Sequence, residues 1–148
     1  FSGLKFRKQI IYNNRNLIII NDSKSTSFSS TIGLLSTYKN IHWIVGGQFK
    51  KGDKFKLEKK YYKNINIYVI GINKKYFENQ FKNKIKFKYF RSLKNAIYEI
   101  NKILNKDSNK KTILFSPAAA SFDQFENFEE RGRYFNKVIR KIILNKLR

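Results

Sequence analysis

The chain has 148 residues, of which 41% are hydrophobic and 16% aromatic, and its 32 Lys and Arg against 10 Asp and Glu give a formal net charge of +22. That apolar share suffices for one sizeable core and lies outside the regime of disordered chains. The lack of cysteine excludes disulfides, thiolate zinc sites and cysteine nucleophiles, and the longest apolar run, residues 17–20, is far too short for a membrane span.

Residues 5–12 and 16–21 are β-rich runs separated by Asn13-Asn14-Arg15, whose asparagines tolerate turn conformations, so a hairpin is predicted to open the domain. A Ser/Thr-rich segment over 23–30 runs into Ile32, Leu34 and Leu35, and Thr26 or Ser27 is placed to cap a helix ending near Tyr38. Residues 41–45 form a buried-type strand stopped by Gly46-Gly47, followed by a polar loop to about Phe55. Strands are predicted over 65–70 and 85–90, with a short helix between them. Leu93, Ala96, Ile97, Ile100, Ile103 and Leu104 share one helical face, so 92–105 is an amphipathic helix capped by Ser92. A strand at 112–115 ends at Ser116-Pro117, and Phe135, Val138, Ile139, Ile142 and Ile143 mark the stripe of a final helix.

Apolar strands alternating with amphipathic helices imply an α/β domain with a mostly parallel sheet, helices on both faces and an N-terminal hairpin. Ligands in such sheets bind beyond the carboxyl ends of strands. Three segments fall there: 21–27, 46–53 and 116–128.

The high positive charge would suit a polyanion. Its excess is mainly lysine spread along the chain together with abundant Asn and Ile, the bias of AT-rich coding, whereas Arg occurs only at 7, 15, 91, 131, 133, 140 and 148. A dedicated nucleic-acid reader would concentrate arginine on one surface. Weak binding to nucleic acid at low salt is expected in any case. The absence of cysteine and of a secretory pattern fits a cytoplasmic protein, and a chain without methionine reads as a segment of a longer one.

The first loop, Asn21-Asp22-Ser23-Lys24-Ser25-Thr26, offers a carboxylate, an ammonium and hydroxyls between a strand and a helix, which suits an anion as well as plain capping. The second, Gly46-Gly47-Gln48-Phe49-Lys50-Lys51-Gly52-Asp53, lacks the Gly-Lys-Ser/Thr ending of a phosphate loop; Lys50 or Lys51 could meet a carboxylate, or both could simply be solvated. In the third, Ser116-Pro117-Ala118-Ala119-Ala120-Ser121-Phe122-Asp123-Gln124-Phe125, Ser121 and Gln124 have capping-box spacing, so a helix is expected to start there. His42, the single histidine, stands beside Trp43 and reads as structural rather than as a general base.

Taken together the loops resemble the C-terminal domain of the Mur ligase family, and within it the UDP-N-acetylmuramoyl-L-alanine:D-glutamate ligase branch. The resemblance rests on NDSKST at 21–26, on Gly46, Gly47 and Lys50, and most specifically on SPAAASFDQFENFEERG at 116–132. It covers essentially all of 1–148 and implies a Rossmann-like three-layer fold, the last of three domains. It further implies an ATP-dependent ligase that joins the L-alanine carboxylate of its substrate to the D-glutamate amine through an acyl phosphate. Thr26, Lys50, Ser121, the Phe122 backbone and Phe128 would hold D-glutamate; Arg7, Asp22 and Lys24 would face the nucleotide or phosphate. The implied partners are D-glutamate, ATP and UDP-N-acetylmuramoyl-L-alanine, with no specific nucleic acid, no membrane and a monomeric state. ATP and Mg would be bound mainly by upstream domains, so the segment alone is expected not to turn over. Departures from the family pattern are Phe6 for a boundary histidine, Ser27 for an asparagine, Ala119 for a cysteine, and the additional Lys51. Two alternatives stay open from the residues: a basic nucleic-acid-binding module, and a sister ligase domain with another amino acid.

Overall fold

A computed structural model describes residues 5–121 and 124–146. Its strands are β1 (Gln9–Asn13), β2 (Leu17–Asn21), β3 (Ile41–Val45), β4 (Ile65–Ile70), β5 (Phe87–Phe90) and β6 (Lys111–Phe115). The helices are α1 (Ile32–Thr37), α2 (Lys74–Phe81), α3 (Leu93–Ile103) and α4 (Phe128–Ile142). The six strands make one sheet in the order β1-β2-β6-β3-β4-β5. Only β1 is antiparallel, joined to β2 in a hairpin with an irregularity between Ile10 and Tyr12; the other neighbours are parallel.

The central strands are apolar at consecutive positions because both faces of the sheet are covered. Ile18, Ile20, Trp43, Val45, Ile67, Val69 and Leu114 face one core, which Phe28, Leu35, Phe77 and Phe81 close. Their alternates Leu17, Ile19, Ile44, Tyr68, Ile70, Ile113 and Phe115 face a second core closed by α3 and α4 through Ala96, Ile97, Ile100, Phe135 and Ile139. This is the three-layer α/β arrangement expected from the alternation of elements. Among the described residues no helix is long and apolar enough to cross a membrane.

Boundaries shift where local contacts override propensity. β1 begins at Gln9 rather than at 5, because Phe6 and Lys8 take φ of +63° and +48°, which breaks an extended run. The expected helix ending near Tyr38 splits into a 3-10 turn, Phe28–Ser30, and α1, and neither Ser27 nor Thr31 caps with its side chain. Ser92 caps α3 as predicted, accepting from the Asn95 amide at 3.1 Å. The last helix does not start after Ser121. Ser121 O instead accepts the Gln124 and Phe125 amides in a turn, and Asn127 Oδ1 caps α4 by accepting the Glu130 amide at 2.8 Å. The capping residue with an acid three positions on is therefore Asn127 with Glu130, displaced by six residues from the pair that the sequence suggested. Glu129 and Glu130 in the first turn and Arg140 and Lys141 in the last complement the helix dipole.

Candidate functional site

The parallel strands deliver all three loops to one rim. Asp22 N donates to Phe115 O at 2.7 Å, laying the first loop across the end of β6, and Gly46 N donates to Pro117 O at 3.0 Å, joining the second loop to the third. Gln48 and Ala120 then exchange backbone hydrogen bonds of 3.0 and 2.9 Å as an isolated bridge. Gly46 is required at the crossing: its φ is +137°, and a Cβ there would overlap the Ile70 carbonyl. Ala118 adopts φ +53°, where a small side chain limits the cost of the left-handed backbone.

An open cleft of about 620 Å³ lies on the first loop and is lined by Arg7, Lys8, Asp22, Lys24, Thr26 and Phe128, among others. Three cations surround one carboxylate there. Asp22 Oδ1 accepts the Lys8 amide at 3.0 Å and Oδ2 accepts the Ser116 hydroxyl at 2.7 Å. Burial raises the Asp22 pKa above the ordinary carboxylate value, against the opposing pull of those two hydrogen bonds and of the Lys8 and Arg7 charges. Lys24 Nζ sits 4.5 Å from the centroid of the Phe128 ring, so a cation–π contact ties the floor of the cleft to the start of α4. Such a cleft suits an anion that also presents hydroxyl donors to Asp22.

No family model matches the chain. Known proteins do. The UDP-N-acetylmuramoylalanine–D-glutamate ligase of Wolbachia sp. subsp. Brugia malayi is 38% identical over 142 residues, covering 96% of this chain and 28% of that protein. Its counterpart in Wolbachia pipientis is 37% identical over 146 residues, with 98% and 28% covered. That of Buchnera aphidicola subsp. Baizongia pistaciae is 39% identical over 148 residues, with 97% and 32% covered. The chain is a C-terminal-like domain of the D-glutamate ligase family. It spans about a third or less of the length of the curated relatives it matches.

Against the family expectation, the cleft brings together Arg7, Asp22, Lys24, Thr26 and Phe128. Thr26 and Arg7 are exposed, and Lys24 is half-buried. Lys50 and Ser121 are not in its wall. They lie on opposite sides of the antiparallel Gln48–Ala120 bridge, with Lys50 exposed and Ser121 buried, so the bridge links their loops without bringing the two side chains together. Lys51 is exposed as well, and the geometry does not separate it from Lys50. Phe122 lies outside the described residues. The second loop is fastened to the first through Asp53 Oδ2, which accepts the Phe28 amide at 2.9 Å, and Tyr76 OH donates to the Asp53 carbonyl.

Several supporting residues escaped the sequence reading. Arg131 is 2% exposed and donates from Nε to Ser23 Oγ at 3.1 Å and from Nη2 to Ser23 O at 2.6 Å. Asn21 Nδ2 reaches Gly132 O at 2.9 Å and Asn136 Oδ1 at 2.8 Å. Both clamp the first loop to α4. A signal existed for Arg131, which falls four residues before Phe135 on the stripe that continues through Val138 and Ile142, where an arginine is out of place unless it is bonded.

His42 is structural, as expected. It is buried near the opposite end of β3 with Nδ1 2.8 Å from Tyr68 OH, and burial, with a smaller push from Lys111, lowers its pKa to about 4. Tyr61, Tyr62 and Phe87, the aromatics available for base stacking, pack against the core, so the nucleic-acid alternative gains no support.

Proposed function

We propose that this chain is the amino-acid-presenting domain of an ATP-dependent ligase that joins D-glutamate to UDP-N-acetylmuramoyl-L-alanine in peptidoglycan synthesis. The observation that carries the reading is the cleft uniting Arg7, Asp22, Lys24, Thr26 and Phe128, at the rim to which the loops of Lys50 and Ser121 also run, in a chain matched almost end to end by D-glutamate ligases. A dicarboxylate requires cationic and neutral donors in a partly desolvated place, where charge-assisted hydrogen bonds are strongest. Lys50 supplies the charge, Thr26 and Ser121 supply hydroxyls, and Phe128 supplies an apolar wall. On the nucleotide side, the Arg7 guanidinium faces phosphate oxygens and Asp22 accepts from a hydroxyl of ATP, with Lys24 toward the phosphates.

The domain's share of catalysis is positional. Holding the D-glutamate amine against the acyl phosphate formed from ATP turns a bimolecular encounter into an oriented one. Among the described residues, Asp22 is the one carboxylate that lines the cleft. The magnesium that accompanies ATP is assigned, with most of the nucleotide's contacts, to the remainder of the full-length protein. A domain that only presents and orients does not turn over by itself.

The test is phosphate release by the full-length protein with ATP and UDP-N-acetylmuramoyl-L-alanine, comparing D-glutamate with L-glutamate, L-lysine and meso-diaminopimelate. Turnover with D-glutamate alone supports the reading. Turnover with a different amino acid overturns the specificity while leaving the ligase chemistry.

A further inference from the structure

The floor of the cleft holds a file of hydroxyls whose proton count sets its direction. Ser116 Oγ donates to Asp22 Oδ2 at 2.7 Å, which commits its only proton. Thr31 Oγ1, 2.6 Å from Ser116 Oγ, must therefore be the donor in that pair. Ser25 Oγ, 2.8 Å from Thr31 Oγ1, must in turn donate to Thr31. Ser30 Oγ stands next, 2.9 Å from Ser25 Oγ and 2.7 Å from Ser27 O, and its one proton serves one of these two acceptors. The hydroxyls from Ser25 inward all point at the Asp22 carboxylate.

Thr31 leads from the 3-10 turn into α1 with its backbone already helical (φ −100°, ψ −26°), so its side chain makes no cap bond, a capping hydroxyl requiring an extended backbone. Its hydroxyl is fully buried and committed to the file. Ser25 and Ser116 are buried as well, so the inner links are closed to water, where aligned hydrogen bonds polarise one another.

We propose that Thr31, with Ser116 and Ser25 on either side, is a positioning residue for Asp22: the file fixes the carboxylate in the orientation from which it meets the nucleotide. This rests on the ligase reading only for what Asp22 meets. Thr31 itself does not line the cleft, and it acts entirely through Ser116. The groups acting directly on the carboxylate are the Ser116 hydroxyl, the Lys8 amide and the Lys8 and Arg7 charges, so loss of the file leaves the carboxylate with one weakened donor and its charged neighbours unchanged.

Thr31→Val keeps the shape and removes the donor, whereas Thr31→Ser keeps the donor. In the 148-residue chain with carbon-13 at the aspartate carboxyls, and with Asp22→Asn for assignment, Thr31→Val is expected to move the Asp22 titration midpoint upward, because the ionised form loses support, while Thr31→Ser leaves it in place. In the full-length protein the same valine change is expected to raise the KM for ATP by about 5- to 10-fold, the scale of one weakened bond to a charged group, with the KM for D-glutamate unchanged. A folded Thr31→Val chain with an unmoved midpoint overturns the proposal whatever the kinetics. A moved midpoint with an unchanged KM for ATP upholds the file and overturns the nucleotide role of Asp22. Should Thr31→Val not fold, Ser25→Ala breaks the file one link further out, and a smaller shift of the same sign is required of it.

Discussion

Gly132→Ala gives a clean contest between two effects of opposite sign. Gly132 lies inside α4, where alanine would ordinarily be favoured by about 1 kcal/mol. A Cβ at that position, however, meets Phe6 Cδ1 and Cγ at 2.5 Å and Cδ2 at 3.0 Å. The ring is 3% exposed and has little room to yield. Its backbone is tied on both sides, with Phe6 O accepting the Lys24 amide at 2.9 Å and Phe6 N donating to Gln9 Oε1 at 3.2 Å. Overpacking of this kind costs about 3 kcal/mol at the upper end of its range, so packing outweighs propensity and leaves a net loss of about 2 kcal/mol. Urea unfolding of the chain should show a lower midpoint with an unchanged m-value. Combining the change with Phe6→Leu should recover about 1 kcal/mol or more relative to additivity, since the two residues touch. A Gly132→Ala chain as stable as the parent, or strictly additive variants, would refute the account in which Phe6 is wedged against α4 and holds the segment carrying Arg7.

Three further outcomes are expected. Unfolded His42 protonates near 6.5 and folded His42 only near about 4, so as pH falls across that window the unfolded state takes up a proton that the folded state refuses. Stability should drop by up to about 3 kcal/mol there, and His42→Gln should flatten that part of the stability–pH curve. Arg131→Met removes the donors to Ser23 and should cost about 2–3 kcal/mol, seen as a fall in Tm; a neutral result would mean that the clamp contributes nothing. In the full-length protein, Lys50→Ala should raise the KM for D-glutamate strongly and Ser121→Ala more weakly, with Lys51→Ala as the comparison; near-normal kinetics in the first two would remove both from the carboxylate site.

The layer architecture was legible because two of the four inner strands and the amphipathic helices are written in pattern alone: 17–20 is apolar throughout, 41–45 is apolar at every position but His42, and the stripes of α3 and α4 recur at helical spacing. The placement of the three loops followed from strand direction, since parallel strands carry their carboxyl ends to one rim. What was not legible depended on side chains meeting across the fold. Nothing local indicates that the Thr31 hydroxyl meets Ser116, that Phe6 turns into α4, or that Asn127 rather than Ser121 starts the last helix, because the partners Ser116, Gly132 and Glu130 are chosen by tertiary contact or by a second acceptable local pattern. The cleft itself was half legible: its members were named from their motifs, but their separation from Lys50 and Ser121 required the Gln48–Ala120 bridge.

The distribution of backbone irregularity points to the same place. Among the described residues, five non-glycine residues have positive φ: Phe6, Lys8, Asn40, Asn83 and Ala118. Asn40 and Asn83 belong to the residue type that tolerates the left-handed region, and they precede the starts of β3 and β5, whose other ends face the rim, so they require no explanation beyond turn chemistry. Phe6, Lys8 and Ala118 do not belong to that type, and each incurs a cost of about 1 kcal/mol or more. All three serve the rim: Phe6 braces Lys24, Lys8 donates its amide to Asp22, and Ala118 lies in the loop that presents Ser116 and Ala120. Their strain is held in place by packing and hydrogen bonds, Phe6 against Gly132, the Lys8 amide on Asp22 and Ala118 between the bonded Ser116 and Ala120, so local preference yields to tertiary contact where the three loops meet.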